Sequence, residues 1–546
     1  MELSPASVET KRNRALTLWA AFLAAATLAA GCVLLTPYVP NADAVSYISI
    51  AQKYARGEFA HAVNGYWSPL LSWMIAPAIR LGADPAVAAK VLSLLTGLAL
   101  ALGVFLLGGR FGLPRGIRFF LAALALPVIF IRYTLLIISP DLLVATVLVY
   151  FFYIIFDPDY FQKKAGWLGC GLAGATAYFA KSYTLFFVLA LVIALSAYHL
   201  LRSTGAENRK AILRKSIRTI AAVLALSGIW IAALSLKYRK FTISTAGRIA
   251  LNFLAPGNIG HFTASGPLLS PPNETAISAW EDPSVYPYRS SWRPLSSQAQ
   301  AKRLLSGLKS RFVDILSLLW RYSGWPVALL LLAIILSFWP GRHGPVFLTL
   351  VSLLIYDAGY MVLGVNPRYL YINEILIFLL SGYVLNLVFK RMGPGRKLFK
   401  SSLAAVLAVG LVLTPYTLSK DFKAAFTSVI RKNGPGPVLS AISRRMVVAL
   451  AGHDPDRSSG RRIRIASDVH YERSLILAYY RKFRYFGVPW FQGGEVDIRR
   501  ELKDKRIEYF LRWDSEKKKY DFLRGCPEVP LGPAARVRVY DVRRLE

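Results

Sequence analysis

The sequence predicts a polytopic α-helical membrane protein with about eleven transmembrane helices, interfacial helices in the first outer loop, and a small C-terminal α/β domain. Composition is the first observation behind this prediction: of 546 residues, 55% are apolar and only 18% are charged, with a mean hydropathy of +0.41. The second is that apolar runs of about 20 residues recur, and a run of that length crosses a bilayer as a helix. An ordinary soluble domain is excluded.

The apolar runs predict eleven spans, at about residues 16–36, 87–107, 117–136, 140–156, 167–182, 183–201, 217–236, 320–339, 344–363, 371–389 and 401–419. With a cytoplasmic N-terminus, every even-numbered connection contains Lys or Arg, as cytoplasmic loops should. This orientation leaves two long outer loops, 37–86 and 237–319, on the extracytoplasmic face. We expect the protein in the inner (plasma) membrane of a bacterium.

The charge balance is strongly basic, with 66 Lys and Arg against 31 Asp and Glu. Such an excess is also typical of nucleic-acid-binding proteins. Here, however, the cations stand mostly between and beside apolar spans, where the positive-inside rule places them. We therefore expect contact with membrane lipid and not with nucleic acid. The three cysteines offer neither a disulfide framework nor a CxxC motif.

The chain is expected to divide into a transmembrane catalytic domain, residues 1–419, and an extracytoplasmic domain, residues 420–546. The second part alternates short β-like runs with helical ones, at residues 461–467, 471–482, 483–488, 496–505, 507–513 and 536–542. This alternation predicts a small α/β domain with parallel strands. Gly434-Pro-Gly-Pro437 resembles a hinge before it.

The first outer loop carries the first candidates for chemistry. Its pattern over residues 41–57 predicts a short amphipathic helix that lies along the membrane surface, and residues 70–79 predict a second one. Asp43, at the start of the first helix, could accept a proton from a substrate hydroxyl or could simply cap the helix. Tyr66 and Trp67 could contact substrate or belong to the aromatic belt of the bilayer boundary.

Three further ionisable residues stand at the outer ends of predicted helices. Asp141 opens the fourth helix, Lys181 closes the fifth and Arg368 precedes the tenth. Each has a structural alternative, namely a favourable helix start for the acid and snorkelling to the headgroups for the two cations. With Asp43, however, they bring two carboxylates and two cations to the same depth of the bilayer. Charges near hydrocarbon usually mark function.

This combination suits one kind of chemistry. Two cations can bind a lipid-borne phosphate and stabilise it as a leaving group, while a carboxylate deprotonates an attacking hydroxyl. These are the requirements of glycosyl transfer from a polyprenyl phosphate.

The stretches that carry these residues are Asp43-x-x-x-Tyr47 with Ala51 and Gly57, Trp67-Ser-Pro-Leu-Leu-Ser-Trp73, Ser139-Pro-Asp141, Phe179-Ala-Lys181-Ser182 and Pro367-Arg-Tyr369. In their order and sidedness they resemble the GT-C superfamily of membrane glycosyltransferases. The resemblance is greatest to the branch with the protein O-mannosyltransferases and the aminoarabinose transferase of lipid A. It covers most of residues 15–390.

The resemblance implies an inverting transfer of a sugar from a polyprenyl-phosphate donor to a hydroxyl or similar group of a glycan, lipid or protein acceptor. Asp43 would be the general base, and Asp141 would match the second acid of the family. Lys181 and Arg368, with the adjoining Tyr369, would bind the donor phosphate.

Tyr47, Tyr66 and Trp67 are the expected substrate contacts. The donor sugar and the acceptor do not carry over from the relatives, because the chain has Ala44 and Ser46 where many of them have a second acid and an Arg. Some relatives use a divalent metal. This sequence has no His/Asp cluster with ligand spacing, so we expect no obligatory structural metal and leave a divalent metal at the site open.

Two other functions fit the sequence. A transporter or flippase of lipid-linked substrates would also have many spans and intramembrane charge, although midplane charges and repeated halves would then be expected. A non-catalytic scaffold could present the C-terminal domain to a partner. The second outer loop, with Trp280-Glu-Asp282, could be a substrate lid or a plain connection.

Overall fold

The computed structural model describes residues 36–253, 266–287, 295–322, 344–391, 462–489, 495–513, 520–531 and 537–545, together with isolated residues between these ranges. The helices, in chain order, are α1 Ala42–Ala55, α2 Phe59–Ala62, α3 Leu70–Arg80, α4 Pro85–Arg110, α5 Arg115–Val128, α6 Asp141–Ile155, α7 Gly166–Ala180, α8 Thr184–Arg202, α9 Ala206–Tyr238, α10 Ala246–Phe253, α11 Gln298–Tyr322, α12 Gly344–Leu363, α13 Tyr371–Arg391, α14 Tyr471–Arg481 and α15 Glu495–Asp504. A π-helix, Ile129–Leu136, continues α5.

Eight of the eleven predicted spans fall on described residues, and each of them contains a helix. Six helical segments in the described part are long and apolar enough to cross a membrane: Pro85–Arg110, Arg115–Leu136, Thr184–Arg202, Ala206–Tyr238, Gly344–Leu363 and Pro367–Lys390. Helices α6 and α7 have 15 residues each, fewer than a perpendicular span needs.

The predicted spans at 16–36, 320–339 and 401–419 lie almost wholly outside the described residues, as does the predicted hinge at 434–437. The polytopic helical architecture is therefore confirmed, while the count of eleven spans stays a prediction.

Small residues allow the helices to pack closely. A β-carbon added at Gly171 of α7 would clash with Ala222 of α9, and one added at Gly174 would lie 2.8 Å from Val223. Small residues at helix interfaces are typical of membrane proteins, where close backbone approach replaces much of the hydrophobic driving force. The close α7–α9 contact therefore lies in the middle of α7, about two to three turns before Lys181.

The first outer loop forms the two expected short helices, α1 and α3, but α1 is covered on both faces. Its apolar side is buried, and so are Ser46, Ser49 and Lys53 on its polar side. The reason is a segment of the second outer loop, residues 278–282, which supplies polar partners to that side. Ser46 donates to the carbonyl of Trp280, and Ser49 donates to Glu281 at 2.7 Å. The amphipathic pattern is present, and the second outer loop covers its polar side.

The C-terminal part contains a five-stranded sheet in the order β2-β1-β3-β5-β4. The strands are β1 Arg464–Ser467, β2 Arg484–Tyr485, β3 Tyr509–Trp513, β4 Glu528–Val529 and β5 Val537–Asp541. Strand β1 pairs in parallel with β2 and β3, as predicted, but β5 is antiparallel to both β3 and β4. The prediction of parallel strands was wrong for this edge, because the link from β4 to β5 is too short for a crossover.

The sheet packs against the outer loops. The backbone N–H of Tyr485 donates to the carbonyl of Ile277 at 2.7 Å, and the N–H of Leu269 donates to the carbonyl of Phe486 at 2.9 Å. The second outer loop thereby covers the β2 edge of the sheet, a place where exposed strands invite unwanted pairing. The Tyr480 hydroxyl accepts from the Val39 N–H at 3.1 Å, just before α1. The boundary at residue 419 stays a prediction.

Lys53 and Glu281 form a buried ion pair, with side chains only 2% and 3% exposed, and join α1 to the second outer loop. Replacing Lys53 with Met leaves an uncompensated buried carboxylate, which costs about 3–5 kcal/mol of stability. We expect a clearly lower thermal unfolding temperature in detergent for Lys53→Met. The double variant Lys53→Met/Glu281→Gln should regain part of the loss, since Gln still accepts from Ser49.

The control for this experiment is Lys210→Met, which breaks the exposed Lys210–Glu207 pair on α9. Exposed pairs contribute little, so its unfolding temperature should stay close to that of the unmodified protein. Equal unfolding temperatures for Lys53→Met and Lys210→Met would show that the buried pair does not hold the loop.

Candidate active site

Two carboxylates and two cations from four separate parts of the chain meet in one cluster. Asp43 lies in the first turn of α1, and Asp141 is the first residue of α6. Lys181 directly follows α7, and Arg368 lies in the short 3-10 helix Pro367–Leu370 before α13. We call these four side chains the charge cluster. The structure thus brings together the four residues that the sequence placed at one depth of the bilayer.

Arg368 connects the two acids. Its Nη2 donates to Asp43 Oδ2 at 2.5 Å, and its Nε lies 3.4 Å from Asp141 Oδ2. A planar guanidinium can reach two carboxylates in this way, whereas a lysine offers a single point charge. The Nε atom is buried, and among the described residues no acceptor takes a hydrogen bond from it. The carboxylate nearest to this enclosed Nε is that of Asp141.

Lys181 pairs with the second acid. Its Nζ lies 2.8 Å from Asp141 Oδ1 and 3.4 Å from the centre of the Tyr369 ring, a cation–π contact. The side chain of Asp141 is 3% exposed, while those of Lys181, Arg368 and Asp43 are about one fifth exposed. Asp141 is thus the inner member of the cluster, and the other three form its accessible side.

Aromatic side chains form one wall of the cluster. The indole Nε1 of Trp280 donates to Asp43 Oδ1 at 3.3 Å, and that of Trp67 donates to the carbonyl of Trp280 at 2.8 Å. The ring centre of Tyr66 is 4.9 Å from that of Trp280, and Tyr47 packs edge-on against Trp67 at the same separation. The expected substrate contacts Tyr47, Tyr66 and Trp67 therefore line the same site.

Burial raises the pKa of the Tyr47 hydroxyl well above its ordinary value, and the charges of Asp141 and Asp43 raise it further. Burial also dominates the raised pKa of Tyr66, with Tyr369 and Asp43 as lesser causes. Both hydroxyls are consequently neutral at physiological pH. They can donate hydrogen bonds to a substrate but cannot serve as bases.

Local sequence positions the acids. The side chain of Asn41, just before α1, donates to the carbonyl of Ile138 at 3.3 Å and accepts from its N–H at 3.0 Å. This two-way contact joins the start of α1 to the Ser139-Pro-Asp141 turn. Ser139 donates to Asp141 Oδ2 at 3.0 Å. The two carboxylates therefore keep a fixed relation, although about a hundred residues separate them in the chain.

The geometry excludes the N-cap alternative for Asp43, whereas Asp141 does stand in the first turn of its helix, as the favourable helix start requires. The residue preceding α1 is Asn41 and the one preceding α6 is Pro140, and neither Asp43 nor Asp141 occupies the cap position. Both carboxylates face cations instead. Lys181 and Arg368 likewise pair with carboxylates. What these groups do chemically stays a prediction.

A divalent metal at the site stays a prediction that is left open, because Mg²⁺ is often held by only one or two carboxylates together with waters and substrate phosphates. In the described part of the chain no group of three or more His, Cys, Asp and Glu side chains converges, and the two acids of the cluster already face Lys181 and Arg368. No step of the mechanism below uses a metal.

Sequence reasoning did not predict the role of Trp280 in the site, nor that of the two acids that follow it. Trp280 was noted only as part of a loop, yet its indole contacts Asp43. Its flanking residues hold it there: Glu281 pairs with Lys53, and Asp282 pairs with Lys237 at 2.8 Å. The sequence signal for this role was an aromatic residue followed directly by two acids in an outer loop. The segment 278–282 forms part of the wall in this structure, and its role as a lid stays a prediction.

Comparison with known proteins identifies solved structures that have a similar fold. No protein-family model matches the sequence, and no curated protein matches it. One similar solved structure is the archaeal oligosaccharyltransferase AglB from Archaeoglobus fulgidus in complex with an inhibitory peptide and a dolichol-phosphate. The TM-score is 0.53 and the sequence identity is 11%; the alignment covers 90% of this chain and 69% of AglB. ArnT from Cupriavidus metallidurans bound to undecaprenyl phosphate gives 0.52 and 13%, over 96% and 97% of the two chains.

These neighbours are GT-C glycosyltransferases. The resemblance that the motifs indicated is thus confirmed for the fold, and it extends over nearly the whole chain. At this low identity the likeness says nothing about substrates.

The geometry of Arg368 predicts its effect on stability. Arg368→Gln removes the cation that faces Asp43 and one of the two that face Asp141, so we expect a loss of about 1–3 kcal/mol and a lower thermal unfolding temperature. Arg368→Lys can reach only one carboxylate and should be intermediate. The control is Arg524→Gln, whose side chain is 80% exposed. An Arg368→Gln protein as stable as this control would contradict the bridging role.

Proposed function

We propose that the protein is an integral-membrane glycosyltransferase that moves a sugar from a polyprenyl-phosphate donor to a hydroxyl or similar acceptor group on the extracytoplasmic face of the membrane. The observation that carries the proposal is the charge cluster, because its two cations and its accessible carboxylate match the two halves of such a reaction. The GT-C fold supports the same class of chemistry.

In the proposed reaction, Lys181 and Arg368 hold the donor phosphate. Cations that face a departing phosphate stabilise the charge that develops on it. A phosphate is a good leaving group even when unprotonated, so no general acid is needed. The side chains of Lys181 and Arg368 are each about one fifth exposed, so a phosphate oxygen can reach them.

Asp43 acts as the general base toward the acceptor. The acceptor oxygen forms a bond to the anomeric carbon, its proton passes to the Asp43 carboxylate, and the bond from that carbon to the phosphate oxygen breaks. The electron pair of the broken bond stays on the polyprenyl phosphate. Attack opposite to the leaving group inverts the anomeric centre, as in other inverting glycosyl transfers that use a carboxylate base.

Asp141 acts as a positioning residue in this scheme. It is buried, and it faces both Lys181 and Arg368. Its charge offsets the mutual repulsion of two cations that must share one phosphate. The aromatic wall of Tyr47, Tyr66 and Trp67 suits a sugar ring, because an aromatic face packs on C–H groups while the tyrosine hydroxyls offer donors.

The test uses purified full-length protein in detergent with synthetic polyprenyl-phosphate sugars, and it follows sugar release with and without candidate acceptors. Removal of a general base typically lowers the rate by about 10²–10⁴-fold. We expect Asp43→Asn to lower kcat by this factor with little change in the donor KM. The matched control, Asp504→Asn on the exposed side of α15, should be as active as the unmodified protein.

An Asp43→Asn protein within about twofold of the control would remove Asp43 from the base role. Donor that crosses a proteoliposome membrane without being cleaved, in every acceptor condition, would favour the transporter instead.

Lys181→Ala should affect donor binding. Loss of one charge-assisted phosphate contact costs about 1.5–3 kcal/mol, so we expect kcat/KM for the donor to fall by roughly 10–100-fold with a higher donor KM. Lys240→Ala, an exposed lysine just after α9, is the control. A change in kcat at constant donor KM would argue that Lys181 does not bind the donor in the ground state.

A further inference from the structure

A second cavity lies on the other side of α1 from the charge cluster. It has a volume of about 220 Å³ and is bordered by the end of α1, the start of α4, residues 275–277 of the second outer loop and residues of the C-terminal part. We call it the tail cavity. The cations that line it are Lys53, Arg56, Arg462 and Lys482, and the only carboxylate among its lining residues is Asp84.

The tail cavity is separate from the charge cluster. At 1.5 Å and 100° per residue, Arg56 lies about 20 Å along the helix axis from Asp43, and Gln52 points about 180° away from it. Gln52 and Arg56 line the tail cavity, whereas Asp43 faces Arg368. A phosphate bound in one place would not contact the residues of the other.

Much of the negative charge around the tail cavity is already engaged. The Asp84 carboxylate accepts from the N–H groups of Ala86 and Val87 at the start of α4. Glu281 pairs with Lys53, and Glu58 approaches Arg56 only to 3.8 Å.

Two cations of the C-terminal part, Arg462 and Lys482, have no ion-pair partner among the described residues. Arg462 donates from Nη1 to the carbonyl of Thr275 at 2.8 Å, which orients the guanidinium and leaves its other donors available. Burial is the main cause of the lowered pKa of Arg462; Arg56 and Arg484 lower this pKa further, whereas Glu281 and Glu58 raise it. The cations are thus held close together, and Glu281 and Glu58 offset part of their mutual repulsion.

Shape narrows the class of ligand. Typical small-molecule pockets measure about 300–1,000 Å³, so the tail cavity accepts one compact group rather than a chain. Tyr479 and Tyr480 form its less polar side. Guanidinium groups match the oxygen geometry of a phosphate, and ammonium groups add charge without a directional demand.

We propose that the tail cavity binds a phosphoryl group, carried either by a lipid headgroup or by a soluble phosphomonoester. Arg462 and Lys482 from the C-terminal part and Arg56 from α1 would contact it. A bound phosphoryl group would then join the first outer loop to the sheet through charge. This proposal is independent of the proposed glycosyl transfer, since it requires no reaction at the charge cluster.

The test is equilibrium binding of radiolabelled inorganic phosphate to the full-length protein in detergent. We expect Arg462→Gln/Lys482→Gln to weaken this binding at least about tenfold, because two charged contacts are lost. The charge-preserving variant Arg462→Lys/Lys482→Arg should stay within about threefold of the unmodified protein. The control Arg500→Gln/Lys503→Gln removes one Arg and one Lys from exposed positions of α15 and should bind normally.

A further variant separates the two phosphate sites. Lys181→Ala alters the charge cluster and should leave binding at the tail cavity intact. Phosphate binding that is lost in Lys181→Ala but kept in Arg462→Gln/Lys482→Gln would overturn the proposal, and so would a protein that binds no phosphate at millimolar concentration. Since Arg462 also contacts Thr275, Arg56→Gln serves as a second test, because that side chain is 46% exposed and its removal spares the loop contact.

The source of the phosphoryl group follows from competition. Nanodiscs that contain phosphatidic acid should displace labelled phosphate from the tail cavity if the group is lipid-borne, whereas phosphatidylcholine nanodiscs should not. Displacement by glucose 1-phosphate, and not by phosphatidic acid, would identify a soluble phosphomonoester. If Asp43→Asn loses sugar release but binds phosphate normally, the phosphate site is shown to be independent of the transferase activity.

Discussion

Arg368 is the side chain on which the candidate site depends, because it joins two carboxylates that come from distant parts of the chain. Charges beside hydrocarbon are tolerated when they are paired and hydrogen-bonded. Asp141 is almost fully buried and has two cations, while Asp43 has one cation and the indole of Trp280. The cluster contains two positive and two negative side chains. An additional anion would therefore bind to cations whose orientation is already fixed and whose charge is already partly neutralised.

The second outer loop is the support of this arrangement. The two acids that follow Trp280 are held by Lys53 of α1 and Lys237 of α9, which helps to keep Trp280 in contact with Asp43. The same loop adds to the edge of the C-terminal sheet next to Tyr485. The position of an aromatic group at the site is thus fixed jointly by the first outer loop, a transmembrane helix and the sheet. A change at the sheet edge can therefore reach the site without touching any charged residue.

Sequence reasoning located the helices and the charged residues at their ends. Both follow from the length of the apolar runs and from the alternation of successive loops between the two faces of the membrane. It could not determine that Arg368 bridges two acids, since pairing depends on how helix ends approach each other. The burial of Lys53 and Ser49 on the polar face of α1 was missed for the same reason. A period of 3.6 residues shows that a face is polar but not whether water or another loop covers it. The antiparallel edge of the sheet depended on a two-residue strand, too short to detect.

The pairing of Arg368 with Asp43 also couples the two halves of the proposed transfer. A phosphodiester donor carries one negative charge, whereas the released phosphate monoester carries about 1.5 to 2. In the proposed reaction Asp43 would become neutral as it takes the acceptor proton, so its attraction for the guanidinium would fall while the charge on the departing phosphate rises. Arg368 is therefore drawn more strongly to the phosphate in the transition state than in the ground state, and only such differential binding accelerates a chemical step. Asp141, which is buried and faces both cations, would keep Lys181 and Arg368 in place during this shift.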